Sequence, residues 1–246
     1  DTMWELQAVN ADGTGSHPKI GAAPEEANKV VVEGISLAST GEIDMPDSEG
    51  FAWFSLWLQA DAPRGGIQVW SGPWNIAAWQ DLSVQAGDRV RVEGWVADHN
   101  GKVFINDRHS VPVMWNMEVL SHGAMPEPEL IPSIADCNFF DPTREAGGER
   151  YQTRWVRING VQIQSGEWGA GNELIITDSS GEELTMLLAA PGNFNAVSAP
   201  TGSFDIVGIF DQEDPEAPYH ENYRIWVKNS AGIIPPSDVG FWDLYQ

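Results

Sequence analysis

Tryptophan is the residue type here whose number and spacing suit recognition chemistry. Trp53 and Trp57 stand four apart, an even spacing that puts two side chains on one face of a strand. Trp70, Trp74 and Trp79 follow at short intervals around Pro73. Flat indole rings stack on sugar faces and on nucleobases, and stacking on a base needs no positive charge of its own. The same rings also fill the cores of small β-proteins. By this reading Trp57 belongs to a core. Trp70, Trp74 and Trp79 are the ligand-binding candidates, with Trp74 and Trp79 expected to be exposed on a loop that rims the fold.

Catalytic chemistry is poorly supplied. No Gly-x-Ser-x-Gly occurs, and Ser71-Gly72 and Ser165-Gly166 are ordinary turn pairs. The single cysteine, Cys137, is flanked by Asp136 and Asp141, the opposite of the electropositive setting that makes a reactive thiolate. The histidines, His17, His99, His109, His122 and His220, lack the helical spacing of a zinc site. His99 reads as a turn residue and His109 as a surface residue. Acidic residues crowd two loops, one with Glu42, Asp44, Asp47 and Glu49, the other with Asp211, Glu213, Asp214 and Glu216. Asp44, Asp47, Asp211 and Asp214 are weak candidates for a hard cation such as calcium. Neither loop has the Asp-x-Asp-x-Asp-Gly pattern, so a solvated acidic loop is the plainer reading. The expectation is no catalysis and no cofactor beyond weakly bound calcium.

The chain carries 36 acidic and 13 basic residues, a formal net charge of -23. Nucleic-acid affinity comes mainly from Lys and Arg displacing counterions, so a chain this acidic is expected to repel phosphate backbones. Charge therefore disfavours nucleic acid as a partner. No apolar run approaches the length of a membrane-spanning helix, and no membrane insertion is expected. The start at Asp1 is what a processed chain would show.

The elements that must position these residues read as strands. Lys29–Ile35, Trp53–Gln59, Gly66–Trp70, Asp88–Ala97 and Lys102–Ile105 are short, apolar and partly alternating. Asn100-Gly101 between the last two is a strong hairpin signal. A short helix is expected over Asn75–Asp81. The second half repeats the order with Arg154–Val161, Glu173–Asp178, Glu183–Leu188, Gly202–Phe210 and Tyr223–Lys228. Five strands are too few for an immunoglobulin-type sandwich and enough for a small barrel. Gly34 and Gly160 sit where the first strand of each barrel must bend. The chain divides into a lead-in (1–26), a first barrel (27–122), a Pro-rich linker (123–133), a second barrel (134–236) and an aromatic tail (237–246).

The run Gly87-Asp88-Arg89-Val90-Arg91-Val92-Glu93-Gly94, then Gly101-Lys102-Val103-Phe104-Ile105-Asn106-Asp107, resembles the OB-fold modules found beside bacterial secreted endonucleases and exonucleases and in other exported multidomain proteins. Tyr223–Ile233 is similar to the closing strand of those modules, and Trp4-Glu5-Leu6-Gln7 to their lead-in. The resemblance covers roughly residues 27 to 236 and implies an all-β fold of two tandem five-stranded OB-fold-like barrels. It also implies a secreted, envelope or periplasmic location, and carries no catalytic residues. The expected function is a non-catalytic extracellular or envelope binding module whose ligand is a glycan or a protein partner. The alternatives are a single-stranded nucleic-acid-binding module of a secreted nuclease system, or a structural spacer.

Overall fold

The computed structural model describes residues 1–43, 53–61, 64–106 and 113–235. Asp44, Asp47, residues 107–109 and the aromatic tail lie outside the described residues. The fold is all-β apart from single helical turns.

The first half contains β1 (Val30–Ser36), β2 (Phe54–Gln59), β3 (Gly66–Ser71), β4 (Arg89–Gly94), β5 (Val96–His99), β6 (Lys102–Asn106) and β7 (Asn116–Ser121). Neighbours around the sheet run β5-β6-β3-β2-β1-β4-β7. All pairs are antiparallel except β3 with β6. The single expected strand Asp88–Ala97 is broken at Trp95. Its first part (β4) pairs with β1 and its second (β5) with β6, so one run of sequence serves both ends of the sheet. Asn100 and Gly101, at φ 52° and 82°, form the two-residue turn that joins β5 to β6.

The second half contains β8 (Glu129–Ile131), β9 (Arg154–Gly166), β10 (Glu173–Thr177), β11 (Glu183–Leu188), β12 (Phe204–Gln212), β13 (Tyr223–Val227) and β14 (Ile233–Ile234). The five long strands close a circle, β9-β10-β11-β13-β12 and back to β9, with only β11 and β13 parallel. This is the connectivity of an OB barrel. Its closure depends on β9, which pairs with β12 through Val161 and with β10 from Gln162 onward. Gly160 sits at that changeover with φ 70°, in the left-handed region that glycine enters without steric penalty. Gly34 needs no such conformation. A β-carbon there would stand 2.7 Å from the Gln59 carbonyl oxygen, so glycine lets β1 pass close to β2.

Each half has its own apolar core. Leu56, Leu58, Ile67, Val69, Val90, Val92 and Ile105 fill the first. Ile158, Ile176, Met186, Phe204, Phe210 and Ile225 help fill the second. Helix α1 (Met3–Leu6) starts with a Thr2–Glu5 capping box and drives Met3 and Leu6 into the first core. The turn Ile134–Asp136 does the same for the second with Ile134.

Part of the expected linker is not a linker. Glu129–Ile131 forms β8, parallel to β9, and Ile131 is buried in the second core. A strand of three residues has no periodicity to detect, and the flanking prolines masked it. A third apolar cluster lies between the halves. It joins Leu37, Ala38, Ile43 and Trp57 to Leu187, Ile209 and Trp226. Trp57 is thus buried as expected, but against the other barrel.

Candidate functional site

The pleat of β2 and β3 builds the site. On β2, Phe54, Leu56 and Leu58 point into the barrel, which leaves Ser55, Trp57 and Gln59 on the outer face, with Trp53 preceding them. On β3, Ile67 and Val69 point inward and Gly66, Gln68 and Trp70 outward. Parallel pairing adds Phe104 beside Gln68. The result is a groove of about 450 Å³, lined by Trp53, Ser55, Gln68, Trp70, His99 and Phe104 from the first half and walled by Asp211, Arg224 and Trp226 from the second.

Three tryptophans form a row, with Trp53 and Trp70 lining the groove and Trp74 beside them. Trp53 and Trp70 have ring centroids 5.9 Å apart, and Trp70 and Trp74 5.7 Å apart, each pair tilted. Trp74 is 52% exposed. Its ring lies over Gly72, where a β-carbon would sit 2.1 Å from the indole, so glycine leaves the room that the ring occupies. At the other end of the face Trp57 meets Trp226, centroids 6.3 Å apart.

Trp79 corrects the sequence reading. It was expected at the exposed rim with Trp74 and is only 7% exposed. Helix α2 (Ile76–Trp79) is one turn long and swings Trp79 back over the barrel, 5.9 Å from the Phe54 ring. Its indole N–H donates to the Gly72 carbonyl at 3.3 Å. A buried ring with a satisfied polar edge is a core residue. Trp115, which the sequence did not single out, packs on the other side, 4.8 Å from Phe54, and donates to the Trp70 carbonyl.

The groove wall is an ion-pair cluster that sequence reasoning missed. Asp211, 1% exposed, accepts from Lys102 Nζ at 3.3 Å, from Arg224 Nη2 at 2.8 Å and from the Trp226 indole at 3.2 Å. Glu213 takes Lys102 at 2.8 Å and Arg224 at 3.0 Å. Burial acts to raise the Asp211 pKa, and the charges of Lys102 and Arg224 overcome it, so the carboxyl titrates below its ordinary range. Glu213 is lowered against burial by the same two cations. One signal was present in the sequence: Asp211 and Arg224 interrupt apolar strands and stand opposite each other in register.

Asp211 is therefore already neutralised, and a cation would have to compete with two side-chain cations for it. Asp214 accepts from the backbone N–H of Glu216 and Glu221 and from Asn222. Among the described residues no group of three or more His, Cys, Asp or Glu is placed to hold a metal ion. A second cavity, about 580 Å³, lies beside α1 and is lined by Trp4, Val31, Glu33, Asp61 and Arg64. It lacks the aromatic row, so the groove on β2 and β3 is the stronger candidate. Among the described residues no helix is long and apolar enough to cross a membrane.

No family model matches the chain, and no curated protein matches its sequence. Solved structures do. A replication protein A heterotrimer bound to single-stranded DNA is similar at 11% identity and TM-score 0.34 over 81% of this chain. The chain spans about half of that structure, 49% of its length. A murine DNA-binding protein bound to double-stranded DNA matches at 9% identity and TM-score 0.36, over 81% of this chain and 90% of that one. The single-stranded DNA-binding protein of Thermus aquaticus matches at 11% identity and TM-score 0.25, over 81% and 89%. These findings correct two expectations. A glycan or protein as the main ligand, and the exclusion of nucleic acid on charge, find no counterpart in these neighbours, whose names record DNA binding, although the likeness itself is one of fold. The physical fault lay in reading an average: a net charge of -23 describes the whole surface, whereas binding depends on the local field.

Proposed function

We propose that this chain is a non-catalytic OB-fold module that binds single-stranded nucleic acid, with unpaired bases stacked on Trp53, Trp70 and Trp74. The observation that carries the reading is the tilted tryptophan row on the outer face of β2 and β3, the face with which OB barrels bind oligonucleotides and oligosaccharides. The charged groups in the groove cancel, Lys102 and Arg224 against Asp211 and Glu213. Affinity then comes from stacking and not from counterion release. The resemblance to modules beside secreted nucleases supports a place outside the cytoplasm.

This account predicts an unusual salt response. Most single-strand binders weaken steeply as salt rises. Here salt screens the repulsion between an acidic protein and the strand, so affinity should hold or rise between low and high salt. Fluorescence anisotropy with a labelled oligothymidine measures it. A steep fall across that range would overturn stacking as the source of affinity.

The tryptophans should be separable by substitution. Trp70→Ala and Trp74→Ala are each expected to weaken oligonucleotide binding by about 1–3 kcal/mol, roughly fivefold to a hundredfold. Trp74→Ala should leave thermal stability nearly unchanged, because its ring is half-exposed. Unaltered affinity in both variants would remove the groove as the binding site.

A further inference from the structure

Four of the chain's arginines meet where the two halves join. Arg64 lies just before β3, Arg144 lies just before α3 (Gly147–Tyr151), Arg150 is in α3, and Arg154 begins β9. Most other cations of the described chain are matched by carboxylates, among them Lys19 with Asp1, Arg91 with Glu93, Arg157 with Asp205 and Lys228 with Glu42. The seam differs. Arg144 makes no ion pair among the described residues, and is stacked on the Trp4 ring with its guanidinium 3.7 Å from the centroid. Arg64 approaches the same ring and pairs with Glu145 at 2.8 Å. Arg150 and Arg154 share one carboxylate, Glu129, at 3.1 Å and 3.0 Å.

That sharing leaves donors over. Arg154 is 6% exposed, and its Nε and Nη1 are buried with no acceptor among the described residues. Arg150 Nε is in the same position. One carboxylate has two oxygens, and a tetrahedral oxoanion has more, spread in three dimensions. Paired guanidinium forks match such an anion. Glu129 belongs to β8, a three-residue strand at the edge of its sheet, so the carboxylate is held by a short element.

We propose that the Arg150–Arg154 pair, with Arg64 and Arg144 adding to its field, is a binding site for a phosphate group, and that Glu129 occupies the anion's place when it is absent. The site stands at the Gly66 end of β3, the opposite end from Trp70. It is independent of the stacking groove and does not require the reading given above.

The test is isothermal titration calorimetry at fixed ionic strength with three probes: inorganic phosphate, a 5′-phosphorylated oligothymidine, and the same oligothymidine without its phosphate. Inorganic phosphate should bind saturably. Arg150→Gln should weaken that binding about tenfold or more, the usual effect of losing a charge-assisted donor. Glu129→Gln should tighten it, because it removes the competing carboxylate, and a merely structural salt bridge would not respond in that direction. Equal affinity for inorganic phosphate and the phosphorylated strand supports a free-anion site. Much tighter binding of the phosphorylated strand than of its unphosphorylated control supports a strand terminus as the source. Absence of saturable binding by both phosphate probes to the native chain and to Glu129→Gln overturns the proposal. So does binding that neither substitution changes.

Discussion

Replacing Asp211 by Ala is expected to destabilise the folded chain by about 3 kcal/mol, the lower end of what breaking a buried ion pair costs. The carboxylate is almost wholly buried, and three donors converge on it: Lys102, Arg224 and the Trp226 indole. Its removal strands two cations, of which Lys102 is itself buried. The loss stays at the lower end because Glu213 still reaches both. Urea denaturation at pH 7 measures the change. The double variant Asp211→Ala, Lys102→Met should recover part of it, since the second substitution removes a stranded charge. A loss below about 1 kcal/mol would mean that the cluster is solvated like a surface ion pair. The pH dependence has a definite sign. A carboxyl with a depressed folded pKa contributes stability above its unfolded value, near 4, and loses it as pH falls through the folded value. The Asp211 contribution should therefore survive mild acid and disappear only below about pH 4.

Glu149 works in the opposite direction. It is buried in α3, where Glu149 Oε1 accepts from the Tyr223 hydroxyl at 2.9 Å and from Gln152 at 3.2 Å. Burial pushes its pKa up to about 7, and the hydrogen bonds and Arg144 only partly offset that. A carboxyl raised on folding binds its proton more tightly in the native state. Its stabilising contribution is complete below the unfolded pKa, about 4.5, and is lost as pH rises through about 7. Between those limits the chain should lose on the order of 3 kcal/mol from this group alone. Glu149→Gln keeps an oxygen for Tyr223 and cannot ionise. The variant should match the native chain near pH 5 and exceed it at pH 8 by up to that amount. Chemical denaturation at both values decides it. An equal difference at the two pH values would show that Glu149 does not titrate in this range.

Strands were legible in the sequence where alternation ran long, as in Asp88–Ala97, and where a turn needed special residues, as at Asn100-Gly101. Bending at Gly160 was legible for the same reason. The direction of Trp79 was not, because a single helical turn after β3 decides whether a ring faces solvent or swings back, and spacing alone does not encode that choice. The third cluster was hidden because Trp57 and Trp226 become neighbours only when two barrels dock. The arginine seam was hidden for a similar reason: Arg64 stands far along the chain from Arg144, Arg150 and Arg154 and joins them only on folding, and the net charge of the whole chain conceals all four.

The Asn100–Gly101 turn reaches out of the first barrel into the second. Asp214 N–H donates to the Asn100 carbonyl, Asn100 Nδ2 to Glu213, and Gln152 Nε2 to the Gly101 carbonyl. A β-carbon at Gly101 would collide with Gln212. Hairpin tips ordinarily accept extra residues and grafted loops. This one works as a key in a lock, and lengthening it would pry the halves apart. Neither barrel is then a cassette for transplantation: the first, moved alone, would arrive in a new host with Trp57 bare and Lys102 without its carboxylates, a sticky surface where a clean module was wanted.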